Sequence, residues 1–229
     1  MNTPFDLENI TRQMIQNLYK GNSKRLINKT HKQLTKYGNQ LVSRGILNQQ
    51  TILEIGAGNG ELFPHVTGAF KSYYMTDISN WGKREIDVIS KLDERVIFEI
   101  QNVEKLHYPD GCFDRIILTC VVAHLTEPFK ALQELRRVTK PKGIISIFVS
   151  TDPSLLLRVI RKLITNKKMK NLTIPYKLYN GIEHRNTPTS IIEMVKWIYG
   201  KDKIKIDFYP FKIKSWNLST HIIINIIKN

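Results

Sequence analysis

Three glycines, Gly56, Gly58 and Gly60, stand in five positions directly after an apolar run, in "TILEIGAGNGEL". A strand ending in such a loop brings bare backbone against a ligand where a Cβ would collide, and in an open α/β sheet that place lies off the carboxyl ends of the strands. Asp77, about 20 residues further on at the end of a second β-like run, is placed to accept hydrogen bonds from both hydroxyls of a ribose. The third glycine comes one residue earlier than in a G-x-G-x-x-G dinucleotide loop. It is followed by Glu61, which would repel a phosphate on a helix N-terminus. The loop therefore suits a ribose-bearing ligand without a phosphate, with a structural tight turn as the alternative. A helix is expected after the loop, and a first-turn acid on that helix is the alternative role for Glu61.

The elements that must position these residues are legible as a rhythm. Between residues 50 and 150 the runs "TILEI", "YYMTDI", "VIFEIQ", "DRIILTC" and "IISIFVS" alternate with amphipathic segments, as βαβ units of a parallel sheet do. "EPFKALQELRRVTKPKG" sets Phe129, Leu132, Leu135 and Val138 at helical spacing and is expected to stop at Pro141 and Gly143. Beyond residue 150, "TDPSLLLRVIRKLITNKKMK" reads as a basic helix starting near Asp152 and Pro153. "TPTSIIEMVKWIYG" reads as a helix capped by Thr187 or Thr189 and ended by Gly200. "KIKIDFY" and "STHIIINII" read as two final strands. Residues 1–48, with Met14, Ile15, Leu18, Leu34, Tyr37 and Leu41 at helical spacing, read as an N-terminal helical cap. Residues 49–229 form the main domain, with 151–186 as an inserted lid over the substrate.

"LEIGAGNGEL", "TDIS" and "FDRIILTCVVAHLTEPFKALQELRRVTKPKGIISI" together resemble a class I, Rossmann-like S-adenosylmethionine-dependent methyltransferase with a type-11-like methyltransferase domain, over residues 50–150. The resemblance implies a doubly wound α/β fold: a mostly parallel seven-stranded sheet with helices on both faces and an antiparallel C-terminal strand. It implies S-adenosylmethionine as cofactor and S-adenosylhomocysteine as product. Glu54, Gly56, Ala57, Gly58 and Gly60 would line the methionine end, Asp77 the ribose, Ile78 the adenine face, and Asn102 and Val103 the adenine edge. Cys120, after the fourth strand, would complete the cofactor wall. The family more often has Asp at position 102; an amide oxygen also accepts from the adenine amino group.

A methyl transfer to oxygen asks the protein to align the nucleophile, exclude water and take a proton. Of the six histidines, His124 follows the fourth strand in "TCVVAHL", His31 lies on the cap, and His184 lies in the covering loop "GIEHRNTPT". These three are the candidate general bases, with a helix-start packing role as the alternative for His124. Tyr176, Tyr179 and Arg185, in the same covering segment, are candidate substrate contacts or residues of a plain surface loop.

Other classes are disfavoured. No acidic cluster follows the fourth strand, as a catechol-type magnesium site requires, and Cys112 and Cys120 lack both a zinc spacing and the number for a disulfide scaffold, so no metal is expected. A D/N-P-P-Y/F-like tetrad is absent after the fourth strand, which argues against methylation of bases or glutamine and so against nucleic acid. The opening "MNTPFDLENI" has no signal-peptide core and no run reaches the roughly 18 apolar residues of a span, so a cytoplasmic location is expected. The formal charge is +15, with 8 basic and 2 acidic residues in 1–50, 12 and 13 in 51–150, and 15 and 5 in 151–229. Basic flanks suit an anionic partner or reflect composition. "LLLRVIRKLITNKKMK" is a lid over an anionic acceptor, a weak peripheral membrane contact or a nucleic-acid contact. The leading reading is methyl transfer to a small metabolite, at a hydroxyl of a sugar or other biosynthetic intermediate. An RNA or protein methyltransferase and a non-catalytic cofactor-binding module are the alternatives, and the oligomeric state stays open.

Overall fold

A computed structural model describes residues 50–66, 70–80, 82–165, 181 and 184–229, with the backbone alone described for 161–165. The expected cap, residues 1–48, lies outside the described residues, as do 166–180 of the lid. Seven strands form one sheet: β1 (Thr51–Ile55), β2 (Ser72–Asp77), β3 (Val96–Ile100), β4 (Phe113–Thr119), β5 (Thr139–Ser150), β6 (Lys203–Tyr209) and β7 (His221–Ile227). Their spatial order is β3-β2-β1-β4-β5-β7-β6. The first five pair in parallel, and β7 runs antiparallel to both β5 and β6. The chain thus steps outward from β1 to β3 and returns to start again at β4 on the other side of β1. The carboxyl ends of β1 and β4 flank that switch point, where open α/β sheets hold their ligands.

The described helices are α1 (Lys83–Leu92), α2 (Pro128–Val138), α3 (Leu155–Thr165) and α4 (Pro188–Ile198). Strand side chains alternate between faces while helical ones recur every three or four residues, so α1, α2 and α4 each lay one stripe on one face of the sheet. Leu53, Ile116, Leu118 and Ile147 meet Leu132 and Leu135 of α2 and Ile191 and Val195 of α4. Ile52, Tyr73, Met75 and Ile117 face the other way, onto Ile86 of α1. His221 lies between the rings of Phe148 and Tyr209, with centroids 5.0 and 5.1 Å away, and burial pushes its imidazole down to about 4. It is neutral at physiological pH and serves the core.

Three local expectations change. The helix expected after the glycine loop does not form in the described residues: the chain makes a turn and one 3-10 turn at Phe63–His65, with Pro64 in its opening positions. Phe63 meets Phe70 and Tyr73 edge-on at 6.0 and 5.4 Å, so aromatic packing holds the segment that a helix was to hold. Glu61 is therefore an exposed turn residue rather than a first-turn acid. Pro141 and Gly143 lie within β5, which begins directly after α2 and carries a register shift opposite Phe113 and Arg115. A Cβ on Gly143 would stand 2.7 Å from Thr139 Cγ2, so the glycine serves that irregularity. Finally, α3 starts at Leu155, because the Ser154 hydroxyl accepts from Leu157 N (3.2 Å) while Asp152 is buried ahead of it. Of the two proposed caps for α4, Thr187 is the one used, accepting from Ser190 N at 3.2 Å.

Candidate functional site

The glycine loop leaves β1 with φ of +70° at Gly56, +56° at Gly58 and +78° at Gly60. A side chain at any of these costs about 1–2 kcal/mol in backbone strain alone. Ala57 N donates to Thr76 O (2.9 Å) and Gly60 N to Ala57 O (2.8 Å), folding the loop back over the end of β2. There Asp77 Oδ2 accepts from Gly58 N (3.0 Å) and Oδ1 from Ser79 N (3.2 Å). Each carboxylate oxygen keeps a second lone-pair direction, so Asp77 can hold the loop and accept from ribose hydroxyls together.

Two close approaches around the loop escape a reading by motif. A Cβ on Gly56 would stand 2.4 Å from Val121 Cγ2, so the turn after β4 is seated directly on the loop. A Cβ on Gly82 would stand 1.8 Å from Gly58 O, so the start of α1 also abuts it. The lone glycine ahead of α1, in "SNWGK", was the available signal for the second. Cys120 takes φ +59° at the β4 end and its N–H donates to Phe148 O (3.0 Å); burial pushes its thiol up to about 12. It has no thiolate chemistry near neutral pH. Beside it the buried Thr119 hydroxyl has no hydrogen-bond partner among the described residues.

Glu54 is 3% exposed in β1 and accepts from Tyr73 OH at 2.8 Å. Burial raises its carboxyl to about 8, against the lowering effect of the Tyr73 hydrogen bond and with a small further push from the Asp77 charge. The same burial, with Glu54 beside it, raises the Tyr73 phenol well above its ordinary value. In the free protein Glu54 is thus mostly a neutral acid at pH 7. Its folded value lies above its unfolded one, so the stability it contributes is complete below about pH 4.5 and is lost as the pH rises through about 8. Glu54→Gln removes that dependence. Its stability relative to the parent is expected to rise by about 1.4 kcal/mol per pH unit within that window, which denaturant melts at pH 5, 7 and 9 would measure.

The adenine side is open. Ile78 is 72% exposed beyond β2. Asn102 is exposed, and its Oδ1 already accepts from Glu104 N at 2.9 Å. Val103 buries its side chain in the core at 6% exposure, leaving only its backbone to face an adenine edge.

On the acceptor side, the sequence candidates divide. His31, Tyr176 and Tyr179 lie outside the described residues. His124 ends the 3-10 turn Val122–His124, with its N–H donating to Val121 O (2.9 Å), one turn from the contact with Gly56. His184 comes to it from the segment ahead of α4, the two ring centroids 4.9 Å apart at 46°. Asn186, which the sequence reading passed over, clamps this junction: its Nδ2 donates to Val122 O (3.0 Å) and Leu125 O (2.8 Å), and its backbone N to Ala123 O (3.0 Å). Arg185 Nη1 donates to Thr126 Oγ1 at 2.7 Å and is exposed. Among the described residues no group of three or more His, Cys, Asp or Glu is arranged to hold a metal ion.

The left-handed glycine turn and the Asp77 carboxylate, which keeps acceptor directions at the end of β2, fit the ribose of an adenosyl ligand. With the β3-β2-β1-β4-β5-β7-β6 sheet they define the class I, Rossmann-like methyltransferase architecture. Comparison with known proteins agrees. The profile of the family described as "Methyltransferase domain" matches residues 53–147. The ubiquinone/menaquinone biosynthesis C-methyltransferase UbiE of Coxiella burnetii is 31% identical over 117 residues, covering 46% of this chain and 45% of that protein. The chain thus spans about half the length of the curated relatives it matches. Among solved structures, a putative S-adenosyl-L-methionine-dependent methyltransferase of Methanococcus maripaludis superposes with a TM-score of 0.61 at 18% identity, covering 97% of this chain and 91% of that one. The putative methyltransferase complex with the Trm112 activator of Haloferax volcanii gives 0.63 at 12% identity, covering 89% and 93%. Residues 53–147 thus match a methyltransferase domain, the sheet order is that of the class I, Rossmann-like fold, and S-adenosylmethionine is the cofactor this likeness supports.

Proposed function

We propose that the protein methylates a small metabolite at a hydroxyl of a sugar or other biosynthetic intermediate. The observation that carries this reading is the junction of His124 and His184 on the edge where the glycine loop lies. When bound, S-adenosylmethionine supplies a methyl group on a cationic sulfur, ready for in-line displacement. The chain would bind and orient it: Asp77 would accept from the ribose, and the bare backbone of Gly56, Gly58 and Gly60 would admit the methionine end, beside the buried Glu54. Residues 184–186 dock on the 122–126 turn and bring His184 to His124. His124 or His184 takes the hydroxyl proton, and Arg185 faces an anionic group of the acceptor. The 15-to-5 basic excess of residues 151–229 supports an anionic acceptor.

The activity of the Coxiella relative, C-methylation in ubiquinone/menaquinone biosynthesis, favours a second reading at the same site, with carbon as the methylated atom. Such chemistry would also need a proton removed from the acceptor. Product mass spectrometry and NMR after turnover with candidate phenols and sugars distinguish an O-methyl from a C-methyl product. In either case the double variant His124→Ala/His184→Ala is expected to lose about 10²–10⁴-fold in kcat while cofactor affinity stays within twofold of the parent, about 0.4 kcal/mol. Unchanged turnover in that variant would remove both histidines from the chemistry.

A further inference from the structure

The β6–β7 connection rises at the same sheet edge as the glycine loop, since β6 ends and β7 begins beside the carboxyl end of β5. Its tip, Pro210 to Lys214, is exposed throughout, and Phe211 (60%) and Ile213 (49%) alternate there with Lys212 and Lys214. The end of this connection is tied to the start of α3: the Thr151 and Ser154 hydroxyls both donate to Ser219 O, at 2.5 and 2.8 Å. On α3, Leu155 (56%) and Val159 (46%) stand one turn apart with the exposed Arg158 between them, and Leu218 (41%) adds to the same region. Soluble surfaces scatter exposed apolar residues singly; here five are gathered on two tethered segments.

Charge identifies what such a surface meets. The described segments 153–160 and 208–219 hold Arg158, Lys212 and Lys214 and no acid. Exposed apolar side chains interleaved with cations match an anionic lipid surface, where side chains enter the acyl boundary and lysines meet headgroups. No helix of the described residues is long and apolar enough to cross a membrane, so the contact is with the surface. We propose that Phe211, Ile213, Leu155, Val159 and Leu218, with Lys212, Lys214 and Arg158, form an interfacial site that docks the protein on anionic bilayers, its substrate edge facing the lipid.

The test is flotation of the full chain with vesicles of phosphatidylcholine alone or mixed with phosphatidylglycerol, without cofactor, so that it stands apart from any result on methyl transfer. Binding is expected only to the mixed vesicles and to weaken with salt. Phe211→Asp/Ile213→Asp is expected to lower it at least about tenfold, and Lys212→Glu/Lys214→Glu about fivefold or more per lysine, each with an unchanged melting temperature. If one pair fails to fold, the other decides. Trp197→Asp, at 81% exposure on the opposite end of the molecule, is expected to bind as the parent does. Absence of binding, equal binding to both vesicle types, insensitivity to both pairs, or capture by RNA in place of lipid would overturn the proposal.

Discussion

Asp77→Ala is expected to weaken S-adenosylmethionine binding at least about 100-fold, because two charge-assisted hydrogen bonds worth about 1.5–3 kcal/mol each are lost together. The loss should exceed that of a residue serving the ligand alone. Asp77 also accepts from Gly58 N, so its removal releases the loop as well as the ribose contact. Asp77→Asn keeps one acceptor oxygen and is expected to fall between the parent and Asp77→Ala. Calorimetric titration of the three proteins, with melting curves to show that each is folded, measures the series. Equal affinities across it would place the ribose elsewhere.

Gly56→Ala is expected to combine a large loss of stability with loss of cofactor binding. The left-handed backbone at +70° and a methyl placed 2.4 Å from Val121 Cγ2 together cost about 2–4 kcal/mol, a fall of roughly 4–16 °C in melting temperature. Gly111 separates the two contributions. Its φ is +60°, but the nearest atom to an added Cβ is Lys140 Cα at 3.9 Å, so Gly111→Ala should show only the backbone part, about 1–2 kcal/mol. Adding Val121→Ala to Gly56→Ala should return part of the packing loss and none of the backbone loss. A Gly56→Ala protein that melts and binds like the parent would contradict the close seating of the β4 turn on the loop.

What could be read from the chain beforehand was local in origin. The three glycines, Glu54 and Asp77 lie at strand ends whose β-branched runs announce themselves, and β1 and β6 fall on the quoted runs residue for residue. The boundaries that moved depend on contacts distant in sequence. Phe63 packs on Phe70 and Tyr73 where a helix was expected, and Ser154 caps α3 from a position held by Ser219. The same holds in the site. Gly82 matters because it meets Gly58, and Asn186 because it meets the carbonyls of Val122 and Leu125. Gly82 carries only the weak signal of a lone glycine ahead of a helix, and Asn186 carries none. His124 and His184 were singled out separately, each from its place after a strand or in a covering loop; that they meet is information only the fold contains.

The central claim is that the loop of bare backbone and Asp77 hold an adenosyl cofactor without a pyrophosphate. Calorimetric titration of the purified full chain with S-adenosylmethionine, S-adenosylhomocysteine and NAD tests it most directly. One S-adenosylmethionine or S-adenosylhomocysteine bound per chain, with no heat from NAD, is the expected result. Binding of NAD with no binding of either adenosyl ligand would contradict it.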